Sequence, residues 1–262
     1  MHNFSYQRPT SLAEAAKLLS GEAKLLAGGM TLLPTLKQRL AQPSALVDLG
    51  AVAELKGIKS EGGGLTIGAM TTHAEVAHSA EVKRTIPALA VLAEGIGDPQ
   101  VRNRGTIGGS ISNADPAADY PAGLVGLGAT VITNKRKIAA DDFFKGLFET
   151  ALGDGEIVTA VSFPKPDKAG YAKFPNQASR YAMVGVFVAK TGGGVRVAVT
   201  GAGPSVFRVP EMEKALAGSF SADAVKSIKV ASKNLNSDLH GSAEYRAHLV
   251  SVMAARAVAA AG

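Results

Sequence analysis

The chain of 262 residues is 46% apolar, enough to bury two modest cores, and holds no run of about 18 uncharged apolar residues to cross a bilayer. It has no cysteine, which excludes disulfides, thiolate catalysis, iron–sulfur clusters and thiolate zinc sites from this polypeptide and assigns any such centre to a partner. Its net charge of +6 is scattered apart from Lys135-Arg136-Lys137, and with 5% aromatics and no tryptophan there is no platform for stacking bases, so the charge suits a dinucleotide's phosphates or an acidic partner rather than nucleic acid.

Ser11 followed by Glu14 has the spacing of a capping box and opens a helix through Leu18 and Leu19. Residues 24–27 read as a short strand broken by Gly28-Gly29, after which Leu32, Leu33, Leu36 and Leu40 fall on a helical period. The order is strand, glycine turn, helix. Residues 45–49 and 65–69 are the next strands, and helical stretches follow around 74–77 and 87–94. Residues 95–121 are rich in glycine and polar side chains, which predicts an irregular functional segment rather than a core element. Residues 129–133 and 157–163 read as strands, and Pro164 and Pro166 mark a domain boundary. Beyond it, strands over 183–190 and 195–200 join at Gly192-Gly193-Gly194, followed by helices over 211–216, 222–232 and 243–260.

Two glycine-rich segments are the candidates for chemistry. In Ala27-Gly28-Gly29-Met30-Thr31 the missing side chains let backbone amides approach a phosphate, and Thr31 adds a hydroxyl donor. The competing reading is an ordinary turn that needs two positive-φ residues. The stretch from Arg104 to Asn113, containing Thr106-Ile107-Gly108-Gly109-Ser110, suits a second cradle of amide donors, against a plain glycine-rich bend between packed layers. Neither matches a P-loop or a G-x-G-x-x-G fingerprint, so a different dinucleotide fold is required. Two such turns are expected to grip one pyrophosphate from both sides, with the ring system reaching the domain boundary. His73 and His78 would lie about 140° apart on a helix, so no metal site is expected, and no G-x-S-x-G nucleophile elbow occurs.

Taken together, these residues resemble the flavoprotein (medium) subunit of the molybdenum hydroxylases, the family of aerobic carbon monoxide dehydrogenase and xanthine dehydrogenase. The first segment with Leu32 and Leu33 is similar to the family's first FAD segment, and Thr106 to Ser110 to its second, followed by Asn113-Ala114-Asp115-Pro116-Ala117-Ala118-Asp119-Tyr120-Pro121. The likeness extends from Phe4-Ser5-Tyr6 to Gly241-Ser242-Ala243-Glu244-Tyr245-Arg246. It implies an α+β fold: a two-lobed FAD-binding domain of the vanillyl-alcohol-oxidase type over 1–164 (lobes roughly 1–52 and 53–164), then a small antiparallel-sheet-plus-helices domain over 165–262. It implies non-covalent FAD held by Ala27, Gly28, Gly29, Met30, Thr31, Leu32, Thr106, Ile107, Gly108, Gly109, Ser110 and Asn113, with Asp119 as the carboxylate on the adenosine end. Tyr181, in Asn176-Gln177-Ala178-Ser179-Arg180-Tyr181, is placed against the flavin. Asp119 also has a structural reading, as the cap of the helix that follows it. Arg180 stands where many relatives carry an acidic residue, and Met30 where they often carry a polar one.

The resemblance further implies a large subunit with molybdopterin and a small one with two [2Fe–2S] clusters, assembled as a dimer of heterotrimers. Electrons would reach FAD here and leave for an external acceptor. The rivals are a free-standing FAD-dependent reductase or oxidase of the same fold, and a flavin-free basic scaffold. The opening residues lack the charged-then-apolar order of a signal peptide, so the expectation is a cytoplasmic chain with no direct membrane insertion.

Overall fold

A computed structural model describes residues 1–261. The chain begins with a small parallel sheet in the order Ser5–Gln7, Ala45–Asp48, Lys24–Leu26. Its first helix, Leu12–Leu18, starts where the capping signal lies: Ser11 accepts from the Glu14 amide at 3.2 Å, and the Glu14 carboxylate reaches back to the Thr10 amide at 2.9 Å. The helix Leu32–Lys37 is shorter than the leucine period suggests. Arg39 adopts φ 61° and ends it, leaving Leu40 73% exposed.

The second lobe is an antiparallel sheet of five strands, ordered Ile58–Glu61, Gly64–Gly68, Val158–Phe163, Thr130–Thr133 and Lys137–Ala139. Helices His73–His78, Ala80–Thr85 and Pro87–Glu94 cover it, the first begun by a complete capping box between Thr72 and Glu75. Residues 95–121 depart from the irregular segment expected: they form the helices Pro99–Arg102 and Ile107–Asn113, and Ile107 and Ile111 are fully buried. Glycine is a poor helix former, which hid the second of these. Thr106 starts it by accepting from the Gly109 amide, and Gly108 is needed where the helix crosses Ala69, since a Cβ there would stand 2.5 Å from the Ala69 Cβ.

A third sheet follows, antiparallel in the order Lys168–Pro175, Ala182–Thr191, Gly194–Thr200, Phe207–Arg208. Both of its faces are covered, which is why the first eight residues of Ala182–Thr191 are all buried instead of alternating. Val184, Val186, Val188, Val197 and Val199 face the helices Pro210–Gly218 and Ala243–Ala260. Tyr171, Phe187, Ala189 and Ala198 turn the other way and join the core of the preceding domain. Between the two domains lies Tyr120–Leu127, buried at every residue, whose Gly126 leaves room for the Phe187 ring. The edge strand Lys168–Pro175 escaped the sequence reading because its lysines and glycine mask the alternation, and the helix expected over 222–232 shrinks to Ala222–Val225. Among the described residues no helix is long and apolar enough to cross a membrane.

Candidate cofactor-binding site

The first glycine segment leaves the end of strand Lys24–Leu26 and enters helix Leu32–Lys37. Among the described residues, the backbone N–H groups of Gly28, Gly29, Met30, Thr31 and Leu32 have no acceptor in the chain. Five consecutive free donors in a half-exposed turn are the arrangement that takes up anionic oxygens, because each orphan amide gains a charge-assisted bond when a phosphate arrives. Gly29 has φ 78°, and Gly28 is needed for a different reason: a Cβ there would lie 1.9 Å from the Arg104 carbonyl oxygen and 2.8 Å from the Gly105 Cα. The two segments, more than seventy positions apart in the chain, are therefore in backbone contact.

The second segment does not offer a second amide cradle. Its donors are already used: Ile107 to the Thr71 carbonyl at 3.1 Å, Gly108 to that of Ala69 at 2.9 Å, Gly109 to the Thr106 hydroxyl at 3.1 Å and Ser110 to the Thr106 carbonyl at 3.0 Å. What this segment presents is a small-residue face. A Cβ on Gly109 would lie 3.4 Å from that of Ala27, and Asn113, four residues on, shares that side of the helix, with Ser110 between them. Ser110 and Asn113 are half-buried, and among the described residues their side chains have no partner in the chain.

Asp119 lies among interior groups. It makes no side-chain cap to helix Tyr120–Leu127, and at 4% exposure its carboxylate meets Lys173 Nζ at 2.9 Å and accepts from the Tyr171 hydroxyl. Burial pushes its carboxyl up, against the pull of the Lys173 charge and the Tyr171 bond. Through these interior partners the carboxylate ties the two domains together. Lys173 and Tyr171 were invisible to sequence reasoning, since a lysine and a tyrosine on a strand read as solvent face and sheet cover.

Tyr181 comes from the second domain, yet its phenol lies close to Thr31 in the first glycine segment. Burial, then the carboxylates of Asp115 and Asp119, hold that phenol above its usual value, against the opposing influence of nearby Thr31. On its other side the ring lines a cleft of about 390 Å³ between the domains, with Asp115, Pro116, Phe148, Met183 and Arg246 among its walls. The floor is tightly stitched. The Pro116 carbonyl accepts from the Gly201 amide at 2.8 Å and the Thr200 hydroxyl at 2.9 Å, and the Ala182 amide donates to Ala117 at 3.2 Å.

The free amides can take up an anionic group, and the Ser110–Asn113 face and the interdomain cleft flank them, a shape that suits an elongated ligand. Comparison with known proteins agrees. Residues 2–166 match the FAD binding domain in molybdopterin dehydrogenase, and residues 169–261 match the CO dehydrogenase flavoprotein C-terminal domain. The chain thus belongs to the FAD-binding medium-subunit family of the molybdenum hydroxylases. It is 38% identical to the nicotine 6-hydroxylase medium subunit of Paenarthrobacter nicotinovorans, over 98% of this chain and 96% of that one. It is 40% identical to the glyceraldehyde dehydrogenase medium chain of Sulfolobus acidocaldarius, over 97% and 96%. A chain of carbon monoxide dehydrogenase from Hydrogenophaga pseudoflava superposes with a TM-score of 0.88 at 37% identity, covering 99% of this chain and 97% of that one.

Proposed function

We propose that this chain binds FAD non-covalently and serves as the electron-transfer subunit of a molybdenum-containing hydroxylase or dehydrogenase. The observation that carries the reading is the run of five acceptorless amides at residues 28–32, locked by Gly28 against the backbone of the second segment. Gly28, Gly29, Met30, Thr31 and Leu32 would hold the pyrophosphate through those amides, with the Thr31 hydroxyl beside them. Ala27, Gly109, Ser110 and Asn113 form the opposite wall, which Thr106, Ile107 and Gly108 hold in place from behind. Tyr181 borders the ring system, and Asp119 supports that region from the interior through Tyr171 and Lys173.

Bound FAD supplies two-electron storage with release in single steps, chemistry that the protein tunes rather than performs. The residues of this chain bind and orient: the glycine turn fixes the anionic middle, and the stitched floor sets the distance between domains. In this reading a small subunit with two [2Fe–2S] clusters would supply the electrons, an external acceptor would take them, and a large molybdopterin subunit would carry the substrate hydroxylation. A cytoplasmic dimer of heterotrimers, divided here into units of 1–164 and 165–262, completes the proposal. Support comes from relatives that are medium chains of carbon monoxide dehydrogenases and of a nicotine hydroxylase, and from the absence of cysteine, which puts any cluster elsewhere.

The test is to load the chain with FAD and mix it with its chemically reduced iron–sulfur partner in a stopped-flow spectrophotometer. Bleaching of the flavin bands at a rate that rises with partner concentration is expected. A loaded chain that turns over an organic substrate alone, and ignores the reduced partner, would sink the electron-transfer role in favour of a free-standing enzyme.

A further inference from the structure

Lys173 is 10% exposed on its side chain and lies on strand Lys168–Pro175, in the second domain. Its ammonium meets three different segments: it donates to the Gly95 carbonyl at 2.7 Å and the Arg180 carbonyl at 3.0 Å, and it forms an ion pair with Asp119 Oδ1 at 2.9 Å. Gly95 and Asp119 belong to the first domain, and the Arg180 carbonyl is in the peptide group immediately before Tyr181. A lysine serving only as a structural ion pair needs one carboxylate. This one uses the carboxylate and a helix-end carbonyl as anchors for holding a loop.

The loop needs holding. Arg180 adopts φ 62°, a left-handed conformation that side-chain-bearing residues seldom take. Within residues 176–181, the Arg180 amide donates to the Asn176 carbonyl and the Asn176 amide to the Tyr181 carbonyl, both at 2.8 Å, while Asn176 Oδ1 accepts from Ala178 and Ser179. Such a tight turn is internally bonded but has few ties to the rest of the molecule. Lys173 supplies one, and Arg180 Nη1 adds a longer contact to the Gly97 carbonyl at 3.3 Å.

We propose that Lys173 is the positioning residue for Tyr181: anchored on Asp119 and Gly95 of the first domain, it fixes the Arg180 carbonyl and thereby seats the Tyr181 ring between Thr31 and the interdomain cleft. The consequence for a bound flavin rests on the FAD reading above, whereas the placement of Tyr181 does not.

The Arg180–Tyr181 peptide bond is itself a cleavage site, and its carbonyl is the group Lys173 holds. The full chain, without added FAD, is digested with an arginine-specific endoproteinase, and cleavage after Arg180 is timed against cleavage after Arg39, an exposed arginine in the first lobe. Lys173→Met should speed cleavage at Arg180 about tenfold, as expected for a loop whose local opening is eased, and leave Arg39 within about twofold. Because Lys173→Met strands the Asp119 carboxylate, the double variant Lys173→Met with Asp119→Asn is run beside it, leaving no unpaired charge. A wild-type rate at Arg180 in a folded variant overturns the proposal. So does equal acceleration at both arginines, or a double variant that fails to fold, since Lys173 would then be holding the fold and not the loop. In the FAD-loaded chain, Lys173→Met and Tyr181→Ala should raise flavin fluorescence by similar amounts and non-additively. Unchanged fluorescence in Lys173→Met removes the flavin consequence, while a wild-type chain that takes up no FAD defeats the functional reading and leaves the proteolysis result intact.

Discussion

Gly28→Ala separates the site's architecture from its composition. The new Cβ would lie 1.9 Å from the Arg104 carbonyl oxygen and 2.6 Å from its carbon, both backbone atoms, so no rotamer change relieves it. To reach ordinary contact near 3.4 Å the two segments must part by about 1.5 Å. Overpacking of this kind costs about 1–3 kcal/mol, and here it falls on the wall that faces the free amides. We expect the upper part of that range in urea denaturation without FAD. FAD affinity should drop at least tenfold for each further 1.4 kcal/mol of misalignment, or roughly 30- to 100-fold in all. Gly21→Ala is the control: its φ of 58° makes alanine strained, but nothing lies within 4 Å of the added carbon. It should cost about 1–2 kcal/mol through backbone strain and leave FAD binding untouched. The assay is titration of each variant with FAD, followed by quenching of the flavin fluorescence. If Gly28→Ala bound FAD as well as Gly21→Ala, the contact between the two segments would not be what builds the site.

Three further outcomes follow from the same geometry. Burial, and then the charge of Arg102, lower His73 to about 4 from 6.5; the fold keeps it neutral where the unfolded chain takes up a proton, so stability is lost as pH falls from about 6.5 to about 4. The loss is up to roughly 3 kcal/mol, and urea melts of His73→Gln should lack that share of the slope. Tyr171→Phe removes one of the two side-chain partners of the buried Asp119 carboxylate and should cost about 1.5–3 kcal/mol, read as a lower thermal midpoint; an unchanged midpoint would mean that the carboxylate has another route to satisfaction. Gly170→Ala sets a Cβ 2.0 Å from the Ala257 carbonyl oxygen, against helix Ala243–Ala260. It should destabilise the second domain by about 3 kcal/mol or more, with hydrogen exchange accelerated in that helix before the first lobe.

Much of the fold was legible because local signals agreed with it: the Ser11 cap, the strand–glycine–helix order around Gly28, and the long helix ending the chain. What stayed hidden was hidden for physical reasons. Helix Ile107–Asn113 reads as a loop because two glycines lower its propensity, and their purpose, close passage over Ala69 and beside Ala27, is a tertiary one. The free amides at residues 28–32 fall within the first glycine segment, but the expectation of a matching set at 106–110 missed that a capped helix start uses its own amides. Asp119 was singled out by the family resemblance, but its partners Tyr171 and Lys173 come from an edge strand whose alternation is blurred. Contacts between distant segments are where single-sequence reasoning ends, and Tyr181 beside Thr31 is the clearest case.

The most direct test of the central claim is equilibrium dialysis of the purified, folded chain against FAD, with bound flavin quantified by absorbance. Saturable, equimolar uptake is expected, weakened by Gly28→Ala and unchanged by Gly21→Ala. A chain that is folded by circular dichroism yet retains no FAD at saturating concentration would contradict it.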